Sequence, residues 1–95
     1  MAEIVDLRTL RPLDMGPVLE SFKKTNRAVI VEEGWLSYGV GAEVSARLYE
    51  QAFDYADAPI KRVAQKEVPL PYNRALEQYA LPQVENVLAA VKEVL

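Results

Sequence analysis

Glu32 and Glu33 stand side by side at the end of a short apolar run, Ala28 to Val31. Gly34, Gly39 and Gly41 follow, in a loop that also carries Trp35, Leu36 and Tyr38. Three kinds of chemistry could be built from these residue types. Two carboxylates could share a proton or a metal ion. Glycines ahead of a helix could open its N-terminus to phosphate or carboxylate, which free N–H groups and the helix dipole favour. Aromatic residues on a loop could anchor a protein interface. Each has a plainer counterpart. Neighbouring strand residues point to opposite faces, which argues against a shared carboxylate site and favours a hydrogen-bonding role at the strand end. The glycine spacing is no dinucleotide or phosphate-loop fingerprint, so turn geometry and close helix–sheet packing outweigh an anion site at Gly39 and Gly41. For Trp35, Leu36 and Tyr38, an interface and a loop folded onto its own core weigh equally.

The remaining inventory narrows the chemistry further. The 95 residues include neither cysteine nor histidine. That removes disulfides, thiolate or imidazole metal sites, serine–histidine and cysteine–histidine catalysis, and the usual near-neutral general base. A formal net charge of −3 supplies no broad attraction for phosphate backbones, which disfavours nucleic acid as a partner. With 51% hydrophobic and 26% charged residues the composition is that of one globular domain with a small core. No apolar run approaches the roughly 20 residues that span a bilayer, so a cytoplasmic location is expected.

The elements that must position these groups alternate. Glu3-Ile4-Val5-Asp6-Leu7 is a strand candidate. Asp14 can cap a helix with Met15, Val18, Leu19 and Phe22 on one face and Pro17 in its first turn. Thr25-Asn26 closes that helix, and Ala28 to Val31 reads as a strand buried on both faces. A second helix after Gly41 presents Val44, Leu48 and Ala52. Ile60-Lys61-Arg62-Val63-Ala64 is a more polar third strand, suited to an edge or with Lys61 and Arg62 aimed at a partner. Val68-Pro69-Leu70-Pro71-Tyr72 is a stiff apolar loop whose prolines withhold backbone donors, and an interface is the favoured reading. A short helix spans Ala75 to Tyr79. Pro82 then opens a final helix whose stripe, Val84, Val87, Leu88, Val91 and Leu95, is read as core packing on the sheet. The order predicts a three-layer α/β/α arrangement around a small, mainly parallel sheet, with residues 1–95 as one domain. Three strands with two open edges make the chain look incomplete.

Glu3-Ile4-Val5-Asp6-Leu7-Arg8-Thr9-Leu10-Arg11-Pro12-Leu13-Asp14 resembles a segment of the C-terminal domain of transketolase-like enzymes. Lys23-Lys24-Thr25-Asn26-Arg27, Val31-Glu32-Glu33-Gly34-Trp35, Tyr38-Gly39-Val40-Gly41-Ala42-Glu43, Ala58-Pro59-Ile60, Val68-Pro69-Leu70-Pro71-Tyr72 and Leu81-Pro82 follow in order. Together they narrow the resemblance to the branch of pyruvate dehydrogenase β subunits. The resemblance implies a parent enzyme that decarboxylates pyruvate with thiamine diphosphate and magnesium, held by domains this sequence does not contain. No catalytic, cofactor-binding or metal-binding residue is therefore expected in this chain, and no cofactor is expected to be bound by it alone. The family's domain serves in subunit assembly, and in some members it docks the subunit-binding domain of the acetyltransferase core. The implied partners are the α chain, the rest of the β chain and that docking domain, in the cytoplasm or, in a eukaryote, the mitochondrial matrix. The interface residues expected on this reading are Trp35, Tyr38, Pro69, Leu70, Pro71, Tyr72 and Leu95.

The family's domain begins one strand and one helix earlier, so the chain reads as a partial domain that would self-associate through an exposed sheet edge. An independent anion-binding or regulatory domain, using the Gly34 to Gly41 loop, stands as the alternative function.

Overall fold

The computed structural model describes residues 2–67 and 73–95. Two parallel strands, β1 (Val29–Trp35) and β2 (Lys61–Gln65), form the sheet, with Val29 opposite Lys61 and Val31 opposite Val63. The link between them is the helix α2 (Val40–Ala52), as a parallel crossover requires. Before the sheet comes α1 (Gly16–Thr25), and after it come α3 (Arg74–Ala80) and α4 (Val84–Val94). The α/β class and the parallel sheet agree with the reading of the sequence.

Local signals place the helix ends. The Asp14 carboxylate accepts the Gly16 N–H at 3.0 Å ahead of α1, and Pro17 occupies the first turn, where an N–H has no helical partner. Asn26 closes α1 in the left-handed conformation, φ 65°, and donates its N–H to the Phe22 carbonyl at 2.7 Å. Gln83 and Asn86 cap α4 reciprocally, each side chain meeting the other's backbone.

Two faces of the sheet take different helices. Met15 and Phe22 from α1 and its cap join Val44, Leu48 and Ala52 from α2 in one buried cluster, with Ala28, Ile30 and Ile60 packed against it. The opposite face carries Lys61, whose ammonium lies 3.1 Å from Glu93 of α4. On that side Ala90 and Val94 are buried. Tyr49 joins the layers further: its hydroxyl accepts the Ile60 N–H at 2.8 Å, which fixes the start of β2 against α2.

The structure corrects three finer expectations. Glu3 to Leu7 is not a strand; Asp6 accepts the Arg8 N–H, Arg8 takes a positive φ of 61°, and the segment turns. Leu7 still reaches the core cluster, and Lys24 binds Glu3 at 2.7 Å, which raises the Lys24 pKa and lowers that of Glu3. Extended pattern alone does not make a strand without a neighbour to complete its hydrogen bonds. The run Ala28 to Val31 is not buried on both faces: Val31 is 51% exposed, because α4 lies nearer β2 and, among the described residues, no third strand flanks β1. The α4 stripe is likewise divided. Val87 and Val91 are half-buried beside Ala90 and Val94, whereas Val84, Leu88 and Leu95 face outward. The small Ala90 lets the helix approach the sheet along a narrower line than its apolar arc.

Candidate interface at the strand-to-helix loop

The loop between β1 and α2 is held from three sides by this chain's own side chains. Glu32 is half-buried, and its Oε1 accepts the Gly41 N–H at 3.0 Å, at the first turn of α2. A carboxylate at that position meets an unpaired donor and the positive end of the helix dipole. Arg62 donates to the Leu36 carbonyl at 2.8 Å. Glu67 accepts the Ser37 N–H at 3.0 Å. The last two contacts join the loop to β2 and to the residues after it.

Gly39 and Gly41 are needed here for space. A Cβ on Gly41 would lie 2.6 Å from Glu32 Oε1 and 3.2 Å from Ile30 Cγ2, while one on Gly39 would overlap the Trp35 carbonyl oxygen. The anion found beside these glycines is therefore the chain's own Glu32. An external phosphate or carboxylate would have to displace it.

Hydrogen bonds from the Ser37 hydroxyl, and then from its backbone N–H, hold the Glu67 carboxyl below its ordinary pKa. A lowered folded pKa means that this tether is present above the unfolded value and is lost as pH falls through the folded one. Acid titration is thus expected to release Ser37 below the ordinary carboxylate range. The Ser37 amide resonance, followed by NMR in the wild type and in Glu67→Gln, checks this. A transition at the same pH in both proteins would refute it.

What the pinned loop presents outward is apolar. Tyr38 is fully exposed and adopts φ 60°, Trp35 is 46% exposed, and Leu36 sits between them. Leu36 also lines an open groove of about 840 Å³ with Lys61, Arg62, Tyr79, Ala90 and Glu93. Its open form suits a macromolecular surface better than an enclosed small-molecule site. Leu95, expected at an interface, is exposed at the far end of α4. Pro69, Leu70, Pro71 and Tyr72 lie outside the described residues.

Glu32 fulfils the hydrogen-bonding role expected at the strand end. Arg62 and Glu67 do what the sequence did not announce, since their bonds to the loop cross 26 and 30 residues. The polar strand suggests an edge position or an Arg62 aimed at a partner, whereas the Arg62 guanidinium donates to this chain's own Leu36 carbonyl. The outward residues Leu76, Tyr79, Val84 and Leu88 were also missed, because helical periodicity alone assigned the α4 pair to the core.

No group of three or more acidic, histidine or cysteine side chains among the described residues could hold a metal ion. No helix among them is long and apolar enough to cross a membrane.

The family described as "Transketolase, C-terminal domain" matches residues 1–87. A protein of Rickettsia felis named pyruvate dehydrogenase E1 component subunit beta is 54% identical over 92 residues, covering 97% of this chain and 28% of the relative. The mitochondrial protein of that name from Dictyostelium discoideum is 50% identical over 93 residues, covering 98% and 26%. That of Saccharomyces cerevisiae is 48% identical over 95 residues, covering 99% and 26%. The chain thus spans about a quarter of the length of these relatives.

Proposed function

Because the chain belongs to the transketolase C-terminal domain family, we propose that it is the C-terminal assembly region of a pyruvate dehydrogenase β subunit, in a thiamine-diphosphate-dependent enzyme. Its role is to join subunits and to dock the acetyltransferase core, without catalysis of its own. The observation that carries this reading is identity of about one half, sustained over nearly the whole chain, to relatives that bear that subunit name. The described surface supports it. The loop backbone is tethered at Leu36 and Ser37 while Tyr38 is fully exposed and Trp35 and Leu36 are partly so, an arrangement that suits aromatic anchors of an interface. The partners on this reading are the α chain, the remainder of the β chain, the acetyltransferase's subunit-binding domain and a second copy of this chain.

Tyr38→Asn separates the interface from the fold. Asparagine tolerates the positive φ at this position and removes only the exposed ring. In a pull-down with the α chain and the remainder of the β chain from the same organism, this variant is expected to bind about tenfold more weakly than wild type. Its melting temperature should be unchanged. Absence of binding by the wild-type chain to either of these and to the docking domain would overturn the reading, as would pyruvate decarboxylation by the purified chain alone.

A further inference from the structure

One peptide unit in the loop after β1 is gripped at both poles. Arg62 Nη1 donates to the Leu36 carbonyl at 2.8 Å, and Glu67 Oε1 accepts the Ser37 N–H at 3.0 Å. That carbonyl and that N–H belong to the same peptide, which is trans, so they point in opposite directions. The cation therefore sits on the negative pole of the peptide and the anion on its positive pole, in two charge-assisted bonds. Turning the plane over would set its carbonyl against the Glu67 carboxylate and its N–H against the Arg62 guanidinium. Both encounters are repulsive. The pair thus selects one orientation of the peptide.

The plane so fixed lies between two aromatic residues. Trp35 precedes it, and Tyr38 follows it, fully exposed with φ 60°, a conformation that tyrosine holds only where its surroundings over-determine the backbone. Neither clamping residue belongs to the loop. Arg62 is a half-buried residue of β2, and Glu67 lies two positions past the end of that strand. Lys61 is no substitute for its neighbour, because it faces the other side of the sheet, 3.1 Å from Glu93. We propose that Arg62 and Glu67 are the positioning residues of the interface: by orienting the Leu36–Ser37 peptide they hold Trp35, Leu36 and Tyr38 in the arrangement that the α chain, together with the remainder of the β chain, receives. The inference rests on the proposed function and adds which residues set the anchor. A loop already in its bound form avoids the ordering cost of association. Apparent affinity falls in proportion as that form is depopulated.

Arg62→Met keeps the aliphatic reach of the side chain and removes the donor. Titrated with the α chain and the remainder of the β chain, this variant is expected to bind about three- to tenfold more weakly than wild type, and Arg62→Lys, which retains a charged donor, less so. In the free chain, NMR order parameters at Ser37 and Tyr38 should fall from the rigid range of about 0.85 toward about 0.6. A double-mutant cycle separates positioning from contact. The loss from Arg62→Met should shrink once Tyr38→Asn has removed the ring, whereas a residue that touches the partner itself would show the same loss in both backgrounds. Reversing both charges, with Arg62→Glu and Glu67→Arg, should not restore binding, because the exchanged pair opposes the polarity of the peptide. If Arg62→Met does not fold, Glu67→Leu, at an exposed position past β2, gives the same readouts. Wild-type affinity in the foldable variants, an undiminished loss in the Tyr38→Asn background, or recovery on charge reversal overturns the proposal and leaves the assembly reading standing. Absence of binding by the wild-type chain overturns both.

Discussion

Phe22→Ala is expected to lose about 3–5 kcal/mol of stability, the range for removing a buried aromatic ring. Phe22 is 2% exposed and joins Met15, Val44, Leu48 and Ala52 in the cluster that binds α1 to α2. No neighbour can readily fill the space, because α1 is fixed at both ends by Asp14 and Asn26. Against a total of about 5–15 kcal/mol for a domain, the loss would leave a marginal fold. Urea denaturation followed by circular dichroism measures it. Leu88→Ala is the control: the side chain is 54% exposed, and its removal should change stability by less than about 0.5 kcal/mol. Equal losses in the two variants would show that α1–α2 packing does not dominate the core.

Gly39→Ala is expected to cost about 2–3 kcal/mol, comparable to overpacking a core, although Gly39 has an ordinary φ of −81°. Its added Cβ would overlap a backbone carbonyl, that of Trp35, and 2.8 Å away it would also meet Glu32 Oε1. A carbonyl within a tethered loop cannot rotate aside as a side chain can. Gly41→Ala is a different case, because its closest conflict is the end of the Glu32 side chain. Its penalty should therefore shrink in a Glu32→Ala background, while that of Gly39→Ala should persist. Gly34→Ala, with its nearest atom 3.6 Å away, should be nearly neutral in thermal unfolding. A Gly39 penalty that vanishes with Glu32 would refute the backbone argument.

These two sites differ in how far they could be read from the chain. Met15, Val18, Leu19 and Phe22 recur at helical spacing, and a stripe of that kind has one way to be buried. The positions of α1 followed directly, as did the Asp14 and Asn26 contacts at its ends, because each spans two to four residues; the Gln83–Asn86 cap of α4 did not. The glycine loop was legible as a turn requiring small residues. That the reason is a carboxylate from the preceding strand was not, since Gly41 and Glu32 meet only after the chain reverses.

Residue types and local periodicity thus determined the α/β class, the helices, the parallel crossover and the exclusion of histidine or cysteine chemistry. Each depends on composition or on interactions spanning only a few residues. The tertiary structure decided which apolar residues remained outside. Val31, Leu88 and Val84 carry the same sequence signal as their buried neighbours, and burial requires an opposing surface that only the assembled layers supply. It also decided that Glu3 to Leu7 is not a strand and that Glu32, Arg62 and Glu67 converge on one loop. Strand pairing and long-range hydrogen bonds need partners whose positions no local pattern encodes.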